Sequence, residues 1–366
     1  MRRPIPPGPP VVVKVGSSSL TGPDGGLDDA AVERVVAHVV ALVERGNPPV
    51  LVTSGAIAAG LPALGMSERP DDISSLQVAA AIGQTKLVEG YSAVFGRSGI
   101  AVAQVLLTKD VLGDRTQYLN ARSALDRMLD LGVVPIVNEN DTVVVDELKL
   151  GDNDHLAAIT AHLVGAAMLV ILTDTEGLFT DDPGLADDAE LLTAVKHTDQ
   201  ILDRIRRSTD TGVFGSGGVA TKVTAARMAA FSGIPTVVTA ADASDAVARA
   251  VDGREGGTWI DPRIESLSAR KLWIAFALPA IGAITVDEGA VDAIRNHGRS
   301  LLVVGVEGAS GRFARGDAVE VLDDSGALVA KGISRVASSD LATDAEGRRS
   351  ATSGEVIHRD DLVVLV

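Results

Sequence analysis

Apolar, β-branched runs recur along the first 240 residues, and stretches of helical spacing separate them. "PVVVKVG" (10–16), "PVLVTSG" (49–55), "IAVAQVLL" (100–107), "GVVPIVNEND" (132–141), "AMLVILTD" (167–174) and "IPTVVTA" (234–240) each read as a buried strand. After the first run, Val32, Val35, Val36, Val39, Val40 and Val43 fall at three- and four-residue intervals, which builds one apolar helix face. Asp28 and Asp29 suit its N-terminus and Gly46 its C-terminal end. The pattern predicts further helices over 73–95, 116–131, 153–164, 218–231 and 244–251. Strands alternating with helices imply right-handed crossovers, and so an α/β fold. The expected architecture is a three-layer αβα sandwich around a mostly parallel open sheet.

The rhythm changes after about residue 252. Gly, Pro and charged residues crowd 254–271, and a linker is expected over 261–274. From there the segments are short, β-rich and punctuated by glycine: "GAITVD", "SLLVVGV", "DAVEVLD", "ALVAKGIS" and "DLVVLV". They predict a small β-barrel-like domain over 275–366, with one helix near 288–297. The main domain then spans 10–260. The start, "MRRPIPPGPP", carries two arginines and five prolines without periodicity, and residues 1–9 are expected to be a disordered extension.

Composition sharpens this picture. A chain of 366 residues is more readily two domains than one. Hydrophobic residues make up 46% but aromatics only 3%, so the core must be aliphatic, as parallel strands under helices require. The absence of cysteine removes disulfides, thiolate metal sites and a cysteine nucleophile. The net charge of −16 disfavours a general nucleic-acid binder, although a local anion site remains open. No apolar leader follows the N-terminal arginines, and the apolar runs are too short to span a bilayer. A soluble, cytoplasmic protein is expected.

The chemistry collects at the strand ends. Lys14 leads into "GSSS" (16–19); "TSGA" (53–56), "NENDT" (138–142) and "TDTEGLFTDDP" (173–183) follow other strands, and "GDND" (151–154) opens a helix. In an open α/β sheet, ligands bind beyond the carboxyl ends of the strands, so these segments should converge on one crevice. Each has a plainer reading. Lys14 could snorkel, Ser54 and "GDND" could cap helices, and Asp174 could close an Asx-turn. "GSGGVATK" (215–222) resembles a Walker loop but fails its order, since the hydroxyl precedes the lysine. No G-x-G-x-x-G opens the first βα turn, and no activated nucleophile stands out. Two lysines, glycine-rich loops, aspartates and amides suit phosphoryl transfer, where the protein positions reactants and stabilises charge.

Taken together, "VVVKVGSSSL", "VTSGAIAAG", "VVPIVNENDTV", "GDNDHLAAITAHLVGA", "LVILTDTEGLFTDDP" and "GSGGVATKVTAA" resemble the glutamate 5-kinase family of the amino acid kinase superfamily. The resemblance covers roughly 10–260, and the C-terminal part is similar to the PUA domain. It implies the amino acid kinase fold and ATP-dependent phosphorylation of the L-glutamate side-chain carboxylate, the first step of proline biosynthesis. It implies that Lys14 and Lys222 contact the ATP phosphates and that Asp154 holds them. Ser54, Asp141 and Asn153 would bind glutamate. Lys14, Gly16, Ser17, Thr173, Asp174 and the loop Ser216, Gly217, Gly218, Val219, Ala220, Thr221 and Lys222 would bind the nucleotide. Val219 stands where the family usually has Met.

ATP and Mg²⁺, with the metal carried on the ATP phosphates, are the implied cofactors. Proline as inhibitor, a dimer or tetramer, and a glutamyl-phosphate reductase as partner follow from the same resemblance. Other kinases of the fold, acting on acetylglutamate, aspartate or uridylate, remain alternatives, as does a non-catalytic amino-acid sensor. RNA binding through the PUA-like domain is disfavoured: residues 275–366 hold nine basic and fourteen acidic side chains, a net charge of −5.

Overall fold

The computed structural model describes residues 2–22, 25–66, 68–108, 111, 114–143, 152–186, 188–210, 218–264, 266–341 and 354–365. The chain divides into two compact units, Met1–Ser266 and Leu267–Val366.

Among the described residues of the first unit, eight strands form one sheet. They are β1 (Val11–Val15), β2 (Pro49–Val52), β3 (Val102–Leu107), β4 (Val134–Glu139), β5 (Met168–Thr173), β6 (Ala194–Lys196), β7 (Thr236–Ala240) and β8 (Thr258–Asp261). Their spatial order is β3-β4-β2-β1-β5-β7-β8-β6. All neighbours pair in parallel except β7 with β8. The central strands β1, β2, β4 and β5 are buried along their whole length, as their continuous apolar runs require. β3 is only half-buried, because it lies at the sheet edge.

The helices are α1 (Asp29–Arg45), α2 (Ala56–Gly60), α3 (Ile73–Gly96), α4 (Arg115–Asp130), α5 (Asp152–Leu163), α6 (Gln200–Asp210), α7 (Gly218–Phe231) and α8 (Ala246–Val251). Asp28 caps α1 by accepting the Ala30 N–H, and Gly46 ends it in the left-handed region at φ 85°. One core gathers the apolar faces of α1, α3 and α8 on Val11, Val13 and Val15 of β1 and their neighbours. Side chains alternate along a strand, so Val12 and Lys14 face the other way, toward the layer of α5 and α7. That alternation decides where the only charged residue of β1 goes. α2 and α3 meet backbone to backbone: a Cβ on Gly83 would fall 1.8 Å from the Ala56 carbonyl oxygen. The contact fixes the chain just after Ser54.

Two expectations are corrected here. The N-terminal segment is seated rather than disordered. Ile5 is buried and its N–H donates to the Val251 carbonyl at 2.7 Å. Asn47 Nδ2 donates to the carbonyls of Pro6 and Pro9 at 2.8 and 3.0 Å. Prolines lack a donor but keep their carbonyl, so the partners come from outside the segment. The expected linker over 261–274 is also structured toward its C-terminal end. Leading into it, Thr258–Asp261 is a sheet strand, and a Cβ on Gly257 would lie 2.2 Å from the Val238 carbonyl oxygen. The glycine is there for close packing. Beyond it, α9 (Ala269–Leu272) runs into a π-turn at Trp273–Ala277, with Leu272 and Ile274 fully buried.

The second unit carries β9 (Gly282–Val286), β10 (Leu301–Leu302), β11 (Val306–Gly311), β12 (Ala318–Leu322), β13 (Leu328–Ile333), β14 (Glu355–Ile357) and β15 (Leu362–Val364). Five of them form a sheet in the order β11-β9-β12-β13-β15, and β10 pairs with β14. The expected helix is α10 (Glu288–Arg295), capped by Asp287.

Candidate active site

Three elements of the first unit meet at one buried carboxylate. Asp154 stands in the first turn of α5, where its Oδ1 lies 2.5 Å from Lys14 Nζ of β1. Its Oδ2 accepts the Thr221 hydroxyl at 2.7 Å and lies 4.0 Å from Lys222 Nζ, both from the start of α7. Lys222 Nζ also donates to the Gly218 carbonyl at 2.8 Å. Burial alone would push the Asp154 carboxyl up. The charges of Lys14 and Lys222, with hydrogen bonds from Lys14 and Thr221, outweigh it and hold the group below the ordinary carboxylate range. Lys222 is pushed down, first by burial and then by Lys14, against the opposing pull of Asp154 and Asp174. Asp154 is thus a fixed anion that gathers cations, not a proton acceptor.

The neighbouring residue opens a second cluster. Asn153 Nδ2 donates to Ser54 Oγ at 3.1 Å, and its Oδ1 faces the Glu139 N–H at 3.3 Å. That N–H is held more closely by Asn138 Oδ1 at 2.9 Å, and Asn138 Nδ2 donates to Gln84 Oε1 at 2.7 Å. The amide chain therefore links α3, the end of β4, α5 and the loop after β2. Asp141 lies partly buried in the turn after β4.

The expected residues fall as follows. Lys14, Asp154, Thr221 and Lys222 are brought together, and Ser54 is brought to Asn153. Gly16 and Ser17 begin the 3₁₀ turn that follows β1. Thr173 ends β5 and its hydroxyl donates to Asp174 Oδ1 at 2.9 Å. Gly218, Val219 and Ala220 form the first turn of α7. Ser216 and Gly217 lie outside the described residues. Thr221 was expected among the nucleotide-binding residues, and its hydroxyl donates to Asp154 Oδ2. Gln84 was missed altogether. A glutamine inside an Ala-rich helix was the available signal, but its partner Asn138 lies 54 residues away.

The donor set suits a polyphosphate: two lysines and the N-terminus of a 14-residue helix converge beside a strand-end turn. Among the described residues, no group of three His, Asp or Glu side chains could hold a metal ion. No described helix is long and apolar enough to cross a membrane.

An α/β sheet with this strand-edge site can take a phosphorylated ligand, and the chain's relatives are kinases. Residues 9–240 match the model of the amino acid kinase family, and residues 282–357 match that of the PUA domain. The chain is 45% identical to a glutamate 5-kinase of Marinomonas sp. (strain MWYL1), with all of both chains covered. It is 43% identical to one from Citrifermentans bemidjiense, covering 97% of each chain. A glutamate 5-kinase of Frankia casuarinae is 45% identical, covering 97% of this chain and 96% of that one. Among solved structures, a carbamate kinase from Giardia lamblia bound to AMP-PNP is similar in fold at 19% identity and a TM-score of 0.50. That match covers 70% of this chain and 99% of the other. The chain belongs to the amino acid kinase family and, within it, to the glutamate 5-kinases that carry a PUA domain.

Proposed function

We propose that this chain transfers the γ-phosphoryl group of ATP to the side-chain carboxylate of L-glutamate, giving L-glutamyl 5-phosphate and ADP. The observation that carries the reading is the pairing of adjacent residues. Asp154 collects Lys14, Thr221 and Lys222, while Asn153 reaches Ser54. A phosphate-side cluster and an amide-and-hydroxyl cluster thus share one helix turn.

ATP, with Mg²⁺ on its phosphates, supplies the transferable phosphoryl group when bound. The acceptor carboxylate is ionised at neutral pH, so the site needs no general base. One of its oxygens bonds to the γ-phosphorus as the bond to the β-bridging oxygen breaks, and the electron pair leaves with ADP. The main obstacle is repulsion between two anions. Lys14 and Lys222 offset it and stabilise the charge gathering on the departing oxygen. Asp154 fixes the lysines in advance, so no reorganisation is needed during transfer. Asn153 and Ser54 hold glutamate, and Asp141 suits its ammonium group. Gly16, Ser17, Thr173, Asp174 and the residues leading into Lys222 border the nucleotide.

Further parts of the reading rest on the family resemblance. The product feeds a reductase on the route to proline, and proline inhibits at or near the glutamate subsite. The chain assembles into dimers or tetramers and works in the cytoplasm. The acidic PUA unit is a stabilising or regulatory appendage. An acceptor panel with ATP and Mg²⁺ tests the central statement. Hydroxamate formed with glutamate and not with acetylglutamate or aspartate, and no ADP released with carbamate or uridylate, is expected; turnover with another acceptor alone would replace it.

A further inference from the structure

The loop after β5 starts at Asp174, beside Thr173 at the strand's end, and its course is fixed from another strand. The hydroxyl of Thr258, the first residue of β8, accepts the Leu178 N–H at 2.7 Å and faces the Leu178 carbonyl at 3.4 Å. Thr258 is fully buried, so water does not replace it there. The approach is tight: a Cβ on Gly177 would fall 2.7 Å from Thr258 Oγ1 and 3.0 Å from its backbone nitrogen. Thr175 braces the same turn by donating to the Gly177 carbonyl at 3.0 Å.

The strand that holds this peg is itself held by the proline-rich arm. The Arg2 guanidinium donates to the carbonyls of Arg254, Gly256 and Gly257 at 2.6, 2.7 and 2.7 Å, just before Thr258. It also donates to the Thr193 carbonyl at 2.9 Å, which in turn accepts the Trp259 N–H at 3.0 Å. One side chain therefore stitches together the entries to β6 and β8.

We propose that Thr258 is a positioning residue for the nucleotide. It holds residues 173–178 where Thr173 and Asp174 can meet ATP, and Arg2 braces it from outside. The inference rests on the assignment of the loop after β5 to the nucleotide. Strand β8, which carries Thr258, is separated in the sheet by β7, β5 and β1 from β2 and β4, whose ends carry Ser54 and Asp141 of the glutamate cluster. Valine would fill the same space but leave the Leu178 N–H without its acceptor, and the loop would move to satisfy it.

The test compares the full-length chain with Thr258→Val, Thr258→Ser and Arg2→Ala. Each is assayed for KM toward both substrates and for ATP affinity by calorimetry. Thr258→Val should raise KM for ATP about tenfold, equivalent to ~1.4 kcal/mol, and leave KM for glutamate unchanged. Thr258→Ser, which keeps the hydroxyl, should restore the ATP value. Arg2→Ala should shift it in the same direction by a smaller factor. An unchanged ATP affinity in Thr258→Val, a parallel rise in both KM values, or a serine variant no better than valine would overturn the proposal. Should Thr258→Val not fold, the substrate split in Arg2→Ala decides by the same criterion. A wild-type chain that binds ATP without phosphorylating glutamate sinks only the assigned activity, and the calorimetric comparison still decides this proposal. A wild-type chain that binds no ATP overturns both.

Discussion

Lys14 Nζ sits 2.5 Å from Asp154 Oδ1, and the two side chains are 4% and 1% exposed. The lysine comes from the central strand of the sheet and the aspartate from the helix layer above it, so the pair joins scaffold and site. A buried ion pair adds little net stability, but removing one partner leaves a charge in a dry interior.

The two lysines should therefore respond differently to deletion. Lys14→Ala strands the Asp154 carboxylate and should cost ~3–5 kcal/mol of folding stability. Lys222 is 4.0 Å from that carboxylate and less buried, so Lys222→Ala should cost less stability. Both should lower kcat by about 100- to 1000-fold. Urea unfolding and steady-state kinetics on the two variants check this. Equal loss of stability, or unchanged turnover in either, would contradict it.

The amide cluster should act on the acceptor alone. Asn153→Ala removes the contact to Ser54 and, on the proposed assignment, one to the acceptor, where a hydrogen bond to a charged group is worth ~1.5–3 kcal/mol. The kcat/KM for glutamate should fall at least about tenfold while KM for ATP holds. Initial-rate matrices in both substrates measure the split, and an effect confined to ATP would move Asn153 out of the glutamate subsite.

His162, in the last turn of α5, gives a pH signature. Burial, helped by the charge of Arg122, pushes its imidazole down from 6.5 to about 4. Between those values the unfolded chain binds a proton that the folded chain refuses. Stability should fall as pH drops from ~6.5 toward 4, and be insensitive to this group at higher pH. His162→Gln should flatten that part of the curve in urea unfolding at several pH values. A curve as steep as the parent's would assign the acid loss elsewhere.

The meeting of α2 and α3 leaves no room at Gly83. Gly83→Ala forces backbone apart and should cost at least ~1–3 kcal/mol. Because α2 starts two residues after Ser54, any folded protein should also bind glutamate less well. A thermal melt with the same midpoint as the parent would remove Gly83 from the account.

The sheet was legible because its central strands are buried on both faces and read as unbroken apolar runs. The cap of α1 was legible as well, at Asp28. The convergence of Lys14 with "GDND" followed from the rule that strand ends share a crevice. Shorter elements escaped. β6 has three residues and β8 four, too few for a period to register. The glycines before β8 resembled a loop, although they serve close packing. The arm at 2–9 has no period at all, and its order comes from Arg45, Asn47 and the carbonyls around Arg2, which lie far away in sequence. That the Thr221 hydroxyl meets Asp154 depends on how α5 and α7 pack, which a sequence pattern does not carry.

The central claim is that the glutamate carboxylate itself attacks phosphorus. The most direct measurement uses glutamate labelled with ¹⁸O in its side-chain carboxylate, with ATP, Mg²⁺ and hydroxylamine. Hydroxylamine attacks the acyl carbon and releases phosphate together with the former carboxylate oxygen that bridged to it. Phosphate should carry one ¹⁸O for each hydroxamate formed. Hydroxamate-free turnover, or phosphate without the label, would contradict it.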